Sequence, residues 1–464
     1  MTGRSKWLCT VAGLAMLLGG ATPALADSTT DLLLRLKEKG ILNDEEYAQL
    51  LADHQRESAA AQAAPAAAPA AAPQATADSR TVRMSESGVG FEMGGVTLKF
   101  SGSVNGFYVH DNPDTASATT DVVGGLASVG GNNSAVRNGL LPGFLKVDVT
   151  TNQGGWDVGA HFGLYPGINS VTHVGGANSA GTPQALATSG IDARQTYLTF
   201  GRKGLGEFKI GRDIGLFGSD AILNDITLLS VGTTGGNVGP SNTSLGRIGI
   251  GYIYTDFQPQ ITYTTPKFGG LQIAAGIFQP LVTIGYDEVN KSPGFQAKVT
   301  YDLASGGFGG HFWASGITQK HNGINGAPSY TGNGFDVGGK LTFGPASLLG
   351  YYYNGSGLGT TGLFILSTDA LGRKRDSDGF YVQGTMSFGK LMLGASYGES
   401  HLDLTQGEVN PTLLDTNSSY VGHLRYGLTS WVTLVGEYVH TKAEAHGVNS
   451  AESDTLAAGA ILFF

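Results

Sequence analysis

From residue 95 to the C-terminus the side chains alternate between apolar and polar with a period of two. Few folds accept that pattern over most of a chain. Val96, Leu98, Phe100, Gly102 and Val104 interleave with Thr97, Lys99, Ser101, Ser103 and Asn105. Trp156, Val158, Ala160, Phe162 and Leu164 interleave with Asp157, Gly159, His161 and Gly163, and residues 295–303, 335–343 and 380–388 repeat the rhythm. A strand places successive side chains on opposite faces, so each segment predicts a strand with one greasy and one wet side. Sixteen segments begin near residues 96, 143, 156, 191, 206, 248, 270, 293, 307, 334, 346, 379, 390, 418, 431 and 454.

The connections decide between a soluble sandwich and a membrane barrel. Residues 152–155, 201–206, 344–347 and 427–430 are short turns, while 111–141, 166–190, 214–246, 355–378 and 400–417 are long. Short turns at one rim and long loops at the other characterise barrels that cross an outer membrane, apolar face to lipid and polar face to a lumen. A sandwich would turn its apolar faces inward instead. Composition agrees: charged residues are only 14% of the chain, against about 25% in soluble domains, and glycine is unusually abundant at 73 residues. The predicted fold is all-β, a transmembrane antiparallel β-barrel of sixteen strands over residues 95–464, with both barrel ends at the short-turn rim.

The N-terminus carries an export signature. Arg4 and Lys6 precede an apolar run over residues 7–18, and Ala24-Leu25-Ala26 offers a small-residue cleavage site, so residues 1–26 read as a signal peptide. Removing them moves the net charge from −9 to −11 and takes away Cys9, the single cysteine. A disulfide scaffold or a thiol catalyst is excluded in the mature chain, and a net acidic chain without a basic patch argues against nucleic acid. Residues 27–57 read as a helical periplasmic leader: Leu32, Leu33 and Leu36 run to a helix-ending Gly40, and Asn43 or Asp44 caps a second short helix with Tyr47, Leu50 and Leu51. Helices this short are marginal alone, so they call for a partner: copies of themselves, peptidoglycan or another envelope component. Residues 58–94 are the linker and approach to the barrel. Their Ala-rich part carries Pro65, Pro69 and Pro73, which stop a helix and allow an extended reach of about 70 Å at ~3.1 Å per residue.

Residues 193–247 stand out within the barrel. Two strand-like segments flank the Gly/Lys turn at 201–206, and residues 214–246 follow without helical period, rich in Gly, Ser, Thr and Asn. A connection of that length is functional or disordered, and in a barrel it can fold inward and narrow the lumen. The alternation puts Glu207 and Lys209 on the lumen side and sends Arg212 outward with Phe208 and Ile210. A charge facing lipid costs roughly 2–4 kcal/mol at the midplane and ~0–1 near the interface. Arg212 therefore requires the rim or a neighbouring subunit.

ARQTYL (193–198), GEFKIGRD (206–213), the long loop after it, ITYTTPKFGGLQI (261–273) and the terminal Phe464 together resemble the general trimeric porins of Gram-negative bacteria over residues 95–464. The leader resembles N-terminal extensions of other proteobacterial porins, including phosphate-selective ones. The resemblance implies a sixteen-stranded homotrimer in the outer membrane, passive diffusion of small hydrophilic solutes and ions, and recognition of Phe464 by the barrel assembly machinery. It also implies a constriction where wall arginines face loop acids. Arg194 and Arg247 match the arginines, Asp225 matches the first loop acid, and Asp220 and Lys209 complete the charged set. The second loop acid is replaced by Leu229, and the second-strand arginine is missing, with only Lys146 and Arg137 nearby. Arg212 matches an arginine near the trimer contact.

No cofactor or metal is expected: GSGLGTTG (355–362) lacks the strand-to-helix setting of a dinucleotide site, and the ten histidines show no metal-ligand spacing. Lumen charges assigned by alternation are Lys99, Lys146, Lys209, Lys298, Lys340 and Arg425 against Asp148, Asp157, Glu207, Asp302, Asp336 and Glu437, an even balance. With one loop acid lost, the expected selectivity is weak and slightly anionic. Two other readings stay open: an envelope tether acting through the leader, and a barrel enzyme with a nucleophile on its wall.

Overall fold

Each of the sixteen predicted strands forms, and together they close. In the computed structural model the described residues are 37, 47–49, 51–52, 82–84, 88–169, 190–234 and 243–464. The signal peptide and most of the leader and linker lie outside them. The barrel strands are β1 (Val96–Pro113), β2 (Phe144–Gln153), β3 (Trp156–Pro166), β4 (Ile191–Arg202), β5 (Gly206–Ile214), β6 (Phe257–Thr264), β7 (Leu271–Phe278) and β8 (Gly294–Ser305). They continue as β9 (Phe308–Gly323), β10 (Tyr330–Phe343), β11 (Ala346–Ser356), β12 (Asp376–Phe388), β13 (Leu391–Leu402), β14 (Leu414–Gly427), β15 (Val432–Ala445) and β16 (Ser450–Phe463). Every neighbour is antiparallel, and β16 pairs with β1 from Ser453↔Pro113 to Phe463↔Ser103, which removes both free edges. Below that seam a short strand, Val89–Met93, occupies the same edge of β1, from Val89↔Phe100 to Met93↔Val96, and Val82–Met84 pairs with it in turn. Nothing in the order of residues signalled this hairpin.

The alternation sorts as lipid outside and water inside. Val104, Phe162, Leu198, Ile261, Phe295, Phe335, Leu348, Val382, Tyr420 and Leu456 are exposed on the outer face. All twelve charges assigned to the lumen fall on the opposite parity in their strands. Aromatic side chains ring the outer face near the short turns: Phe200 lies 5.2 Å from Phe208 and Phe208 lies 4.9 Å from Tyr263, ring centre to ring centre. A second set lies toward the long loops, where Tyr397 and Tyr420 sit 4.5 Å apart. Phe335 and Phe343 share β10, ~26 Å apart along the strand. Two aromatic girdles about an apolar band suit a barrel seated in a membrane.

One strand was misplaced. The sixth was expected from residue 248, but β6 begins at Phe257. Ile248, Ile250, Tyr252 and Ile253 are apolar and nearly wholly buried inside the barrel, not on its wall. Alternation cannot separate a strand from an extended stretch buried on all sides. The long third loop, L3, consequently spans residues 215–256. Several strands also start a few residues earlier than the alternation suggested, β10 at Tyr330 and β14 at Leu414 among them.

Candidate functional site

L3 leaves β5 and turns into the barrel. A short helix, α1 (Ser219–Asn224), and a 3-10 turn (Ile226–Leu229) carry it across, with Gly218 at φ 71° making the bend. Phe217, Ala221, Ile222, Ile248, Tyr252 and Ile253 pack with Trp313, Ile317, Leu349, Tyr351, Tyr353 and Tyr381 from the wall and with Leu358, Leu363 and Phe364 from the loop after β11. Fully burying a large apolar side chain is worth about 1.5–3 kcal/mol, and outside the barrel this loop would expose several of them. That gain is why the described part of so Gly-rich a segment has a fixed place.

Inward polar side chains hold the loop strand by strand. Gln296 on β8 accepts from the Leu216 and Phe217 amides at 2.7 and 3.0 Å. Asp336 on β10 accepts from the Gly218 amide at 2.7 Å, and the Tyr381 hydroxyl on β12 donates to the Ala221 carbonyl at 2.7 Å. Gln383, also on β12, both donates to the Asn224 carbonyl and accepts from the Ile226 amide. Arg425 on β14 donates to the Ile226 carbonyl at 2.6 Å. Glu437 on β15 receives Ser230 Oγ at 2.5 Å and the Gly232 amide at 2.6 Å. β13 makes room with small residues on its inner face: Gly394 lies under Ile226, Gly398 under Arg247, and Ser400 Oγ accepts from the Gly251 amide at 2.7 Å. Asp336, Glu437 and Arg425 do face inward, as alternation required, but they serve as loop anchors. The even charge balance expected of an open lumen therefore does not describe this wall.

The residues expected at a constriction are dispersed. Asp220 bridges L3 to the wall, 2.7 Å from Lys298 Nζ and 3.1 Å from His311 Nε2. Burial works to raise its pKa, but the bonds to His311 and Lys298 outweigh burial and hold it below the usual carboxylate value. Asp225 is buried and caps the 3-10 turn: it accepts from the Thr227 amide at 3.0 Å, from Thr227 Oγ1 at 2.6 Å and from the Tyr252 hydroxyl at 2.9 Å. Arg247 is fully buried, with Nη1 donating to Ser419 Oγ at 3.0 Å and the guanidinium 6.0 Å from the Tyr381 ring centre. Burial lowers its pKa while the charge of Asp225 opposes that shift. Arg194 does not meet Asp225. Its strand carries a bulge, with the pairing stepping from Gly163↔Gln195 to Tyr165↔Asp192, and a bulge re-aims the side chains it contains. Arg194 accordingly lies buried over the Tyr165 ring and donates from Nε to Asp192 at 2.7 Å. Lys209 pairs with Asp213 at 2.5 Å. Arg212 is half-buried and shares the parity of lipid-facing Ile210. The backbone of Phe464 exchanges hydrogen bonds with Gly102 at 3.1 Å each way, fastening the C-terminus to β1.

Sequence reasoning did not single out Gln296, His311, Tyr381, Gln383 or Ser400 as loop holders. Their inward parity was readable; the arrival of a loop at each of them was not.

A closed sixteen-stranded barrel with a loop folded inside it is matched by sequence comparison: the Gram-negative porin family aligns over residues 59–446. The chain belongs to that family. Among solved structures, this porin resembles the outer membrane channel DcaP of Acinetobacter baumannii, with 17% identity, 80% of this chain and 98% of that one covered, and a TM-score of 0.62. Salmonella typhi OmpF, in complex with daunomycin, matches at 12% identity, 80% and 98% coverage and a TM-score of 0.50. A loop L8 deletion mutant of the Vibrio cholerae outer membrane protein OmpT matches at 15% identity, 80% and 100% coverage and 0.50. At these identities the likeness shows the barrel fold. No curated protein matches the chain. Family and fold make this porin an outer-membrane channel protein.

Two expected results follow from the charges in the loop. Asp220 has a depressed folded pKa, so its contribution to holding L3 is complete above the unfolded carboxylate range, about 3.9, and is lost as pH falls through the lowered folded value. The difference in thermal midpoint between the wild-type porin and Asp220→Asn should stay constant from neutral pH down to about 4 and shrink below it. Asp220→Asn should have the lower midpoint at neutral pH, read by heat-modifiable migration at graded pH. Arg247, in contrast, is fully buried with Nε and Nη2 left without hydrogen-bond partners, so its charge is enclosed between the loop and the wall. Arg247→Met should keep the reversal potential in a salt gradient unchanged; a shift toward cations would place its charge in the ion path.

Proposed function

We propose that this porin is a water-filled passage for passive diffusion of small hydrophilic solutes and ions, and that L3 is its constriction. The observation that supports this reading is the anchoring of one loop to inward side chains of β8, β10, β12, β13, β14 and β15, which fixes a barrier at a set place across the lumen. The narrowing charges are proposed to be Asp220, with its partners Lys298 and His311, and Lys209. Asp225 and Arg247 hold the barrier's shape, while Arg194 is braced in the wall by Asp192 and the Tyr165 ring. Selectivity is proposed to be weak with a slight anion preference, because Asp225 is spent on a helix cap and the second loop acid is Leu229. The porin is further proposed to be exported with cleavage after residue 26, to assemble as a homotrimer with Arg212 at the contact, and to present Phe464 to the barrel assembly machinery. Purified protein in planar lipid bilayers tests the channel: stepwise, long-lived openings in potassium chloride are the expected result. Bilayers that remain silent with correctly folded, heat-modifiable protein would reject it in favour of a tether.

A further inference from the structure

L3 does not rest on the barrel wall alone. L6, residues 357–375 between β11 and β12, places Leu358 and Phe364 wholly inside the buried cluster that seats L3. Its tip meets the return arm of L3 through the backbone. The Tyr254 amide donates to the Thr361 carbonyl at 2.8 Å, and the Leu363 amide donates to the Tyr254 carbonyl at 3.3 Å. Thr361, Phe364 and Leu366 of L6 stand at φ 66°, 68° and 59°. Residues with a Cβ hold that left-handed backbone only where their surroundings enforce it.

The enforcing contacts lead outward to L4, residues 279–293. The Phe364 ring stands edge-on to His321 of β9, and His321 lies flat on Tyr330 of β10, each pair with ring centres 4.3 Å apart. The Tyr330 hydroxyl reaches Ser367 of L6 at 3.0 Å and Thr283 of L4 at 2.5 Å. Glu288 of L4 meets His321 Nδ1 at 2.9 Å, both side chains enclosed, and accepts from the Thr283 amide at 2.9 Å. One run of contacts thus joins L4 to His321, His321 to L6, and L6 to Tyr254 of L3.

The neighbours of His321 also fix where its proton sits. Gln319 donates from Nε2 to the Leu281 carbonyl at 2.7 Å and accepts from the Leu281 amide at 3.1 Å, so its amide cannot reverse without losing both bonds. The same Gln319 Nε2 lies 3.1 Å from His321 Nε2. That ring nitrogen is therefore an acceptor, and the neutral ring carries its proton on Nδ1, toward Glu288. A second proton would set N–H against N–H. Among the described residues, the titratable groups against the ring are Glu288 of L4 and Tyr330 of β10; L6 presents Phe364, which carries no charge.

From this arrangement we propose that His321 and Glu288 form a proton-sensitive clasp at the long-loop rim. Closed, the clasp holds L6 in the lumen and L6 holds the return arm of L3. A proton on His321 Nε2 opens it, and L4 and L6 relax outward. The inference rests on the channel reading above.

The test is single-channel current through the reconstituted, full-length porin in potassium chloride, with both chambers taken from about pH 7.5 to about pH 5. Histidines take up protons over that range, while ordinary carboxylates stay ionised. Wild-type steps should grow at the acid end and shrink again on neutralisation. His321→Phe/Glu288→Gln keeps a ring against Tyr330 and Phe364 but removes the titrating pair. Its steps should match the wild type at neutral pH and lose the acid growth. Phe364→Ala, an arm that does not depend on the double variant folding, should give enlarged steps already at neutral pH. Heat-modifiable migration identifies the folded barrel in each case. Wild-type channels whose steps do not grow in acid would overturn the clasp alone. Acid growth that survives in the folded double variant would do the same, as would steps of wild-type size from folded Phe364→Ala. A wild-type protein that never conducts would overturn the channel reading and the clasp with it.

Discussion

Glu437→Ala is expected to give the largest change of any single substitution in the loop's support. The Glu437 carboxylate is wholly enclosed and takes donors from Ser230, Val231 and Gly232 of L3, with His423 Nδ1 at 3.2 Å. Truncation leaves two loop amides and a hydroxyl without their acceptor and strands the Arg425–His423 pair, whose bond is 2.8 Å. Removing one partner from a buried charged network costs roughly 3–5 kcal/mol. The penalty falls on L3 more than on the barrel, because the β14–β15 ladder, from Leu414↔Ala445 to Gly427↔Thr433, does not depend on the side chain. The loop tail should detach, giving larger and noisier conductance steps with the heat-modifiable barrel still present. Steps of wild-type size from a folded variant would show that L3 does not limit the current.

Gly398→Leu approaches the same loop from the other side. A Cβ at Gly398 would stand 2.8 Å from Arg247 Nη1, 2.8 Å from Tyr381 Cβ and 2.9 Å from the Phe380 carbonyl. Two of those neighbours belong to β12 and are fixed by its pairing, so the movable element is Arg247 with the loop behind it. Overpacking a filled interior costs typically 1–3 kcal/mol. Here it also pushes a buried guanidinium off Ser419. We expect a lower thermal midpoint and altered open-channel current, whereas Gly350→Ala, on the outer face with open space around it, should leave both unchanged. Equal effects of the two substitutions would mean that the inner glycines of β13 are not the seat of the loop.

The contrast between these glycines marks the boundary of what alternation conveys. Both stand in strands of the same rhythm; only the folded loop makes one of them irreplaceable. Period-two patterning is a local consequence of the pleat, and a one-residue slip would turn every apolar side chain to the wrong face. Strand number, the lipid and lumen faces, the long and short rims and the outward parity of Arg212 were therefore readable from the order of residues. Arg194 was misjudged because one extra residue, the bulge at Ala193 and Arg194, breaks that rhythm without any signal in composition. Asp225 and Arg247 were placed at a constriction by resemblance, yet Asp225 became a helix cap and Arg247 a buried support for the loop. Their partners, Tyr252 and Ser419, are decided by how L3 crosses the barrel. The sequence by itself determined a membrane barrel with one loop too long to be a turn. Where that loop came to rest was decided only by contacts between residues hundreds of positions apart, such as Ser230 with Glu437, which no local pattern encodes.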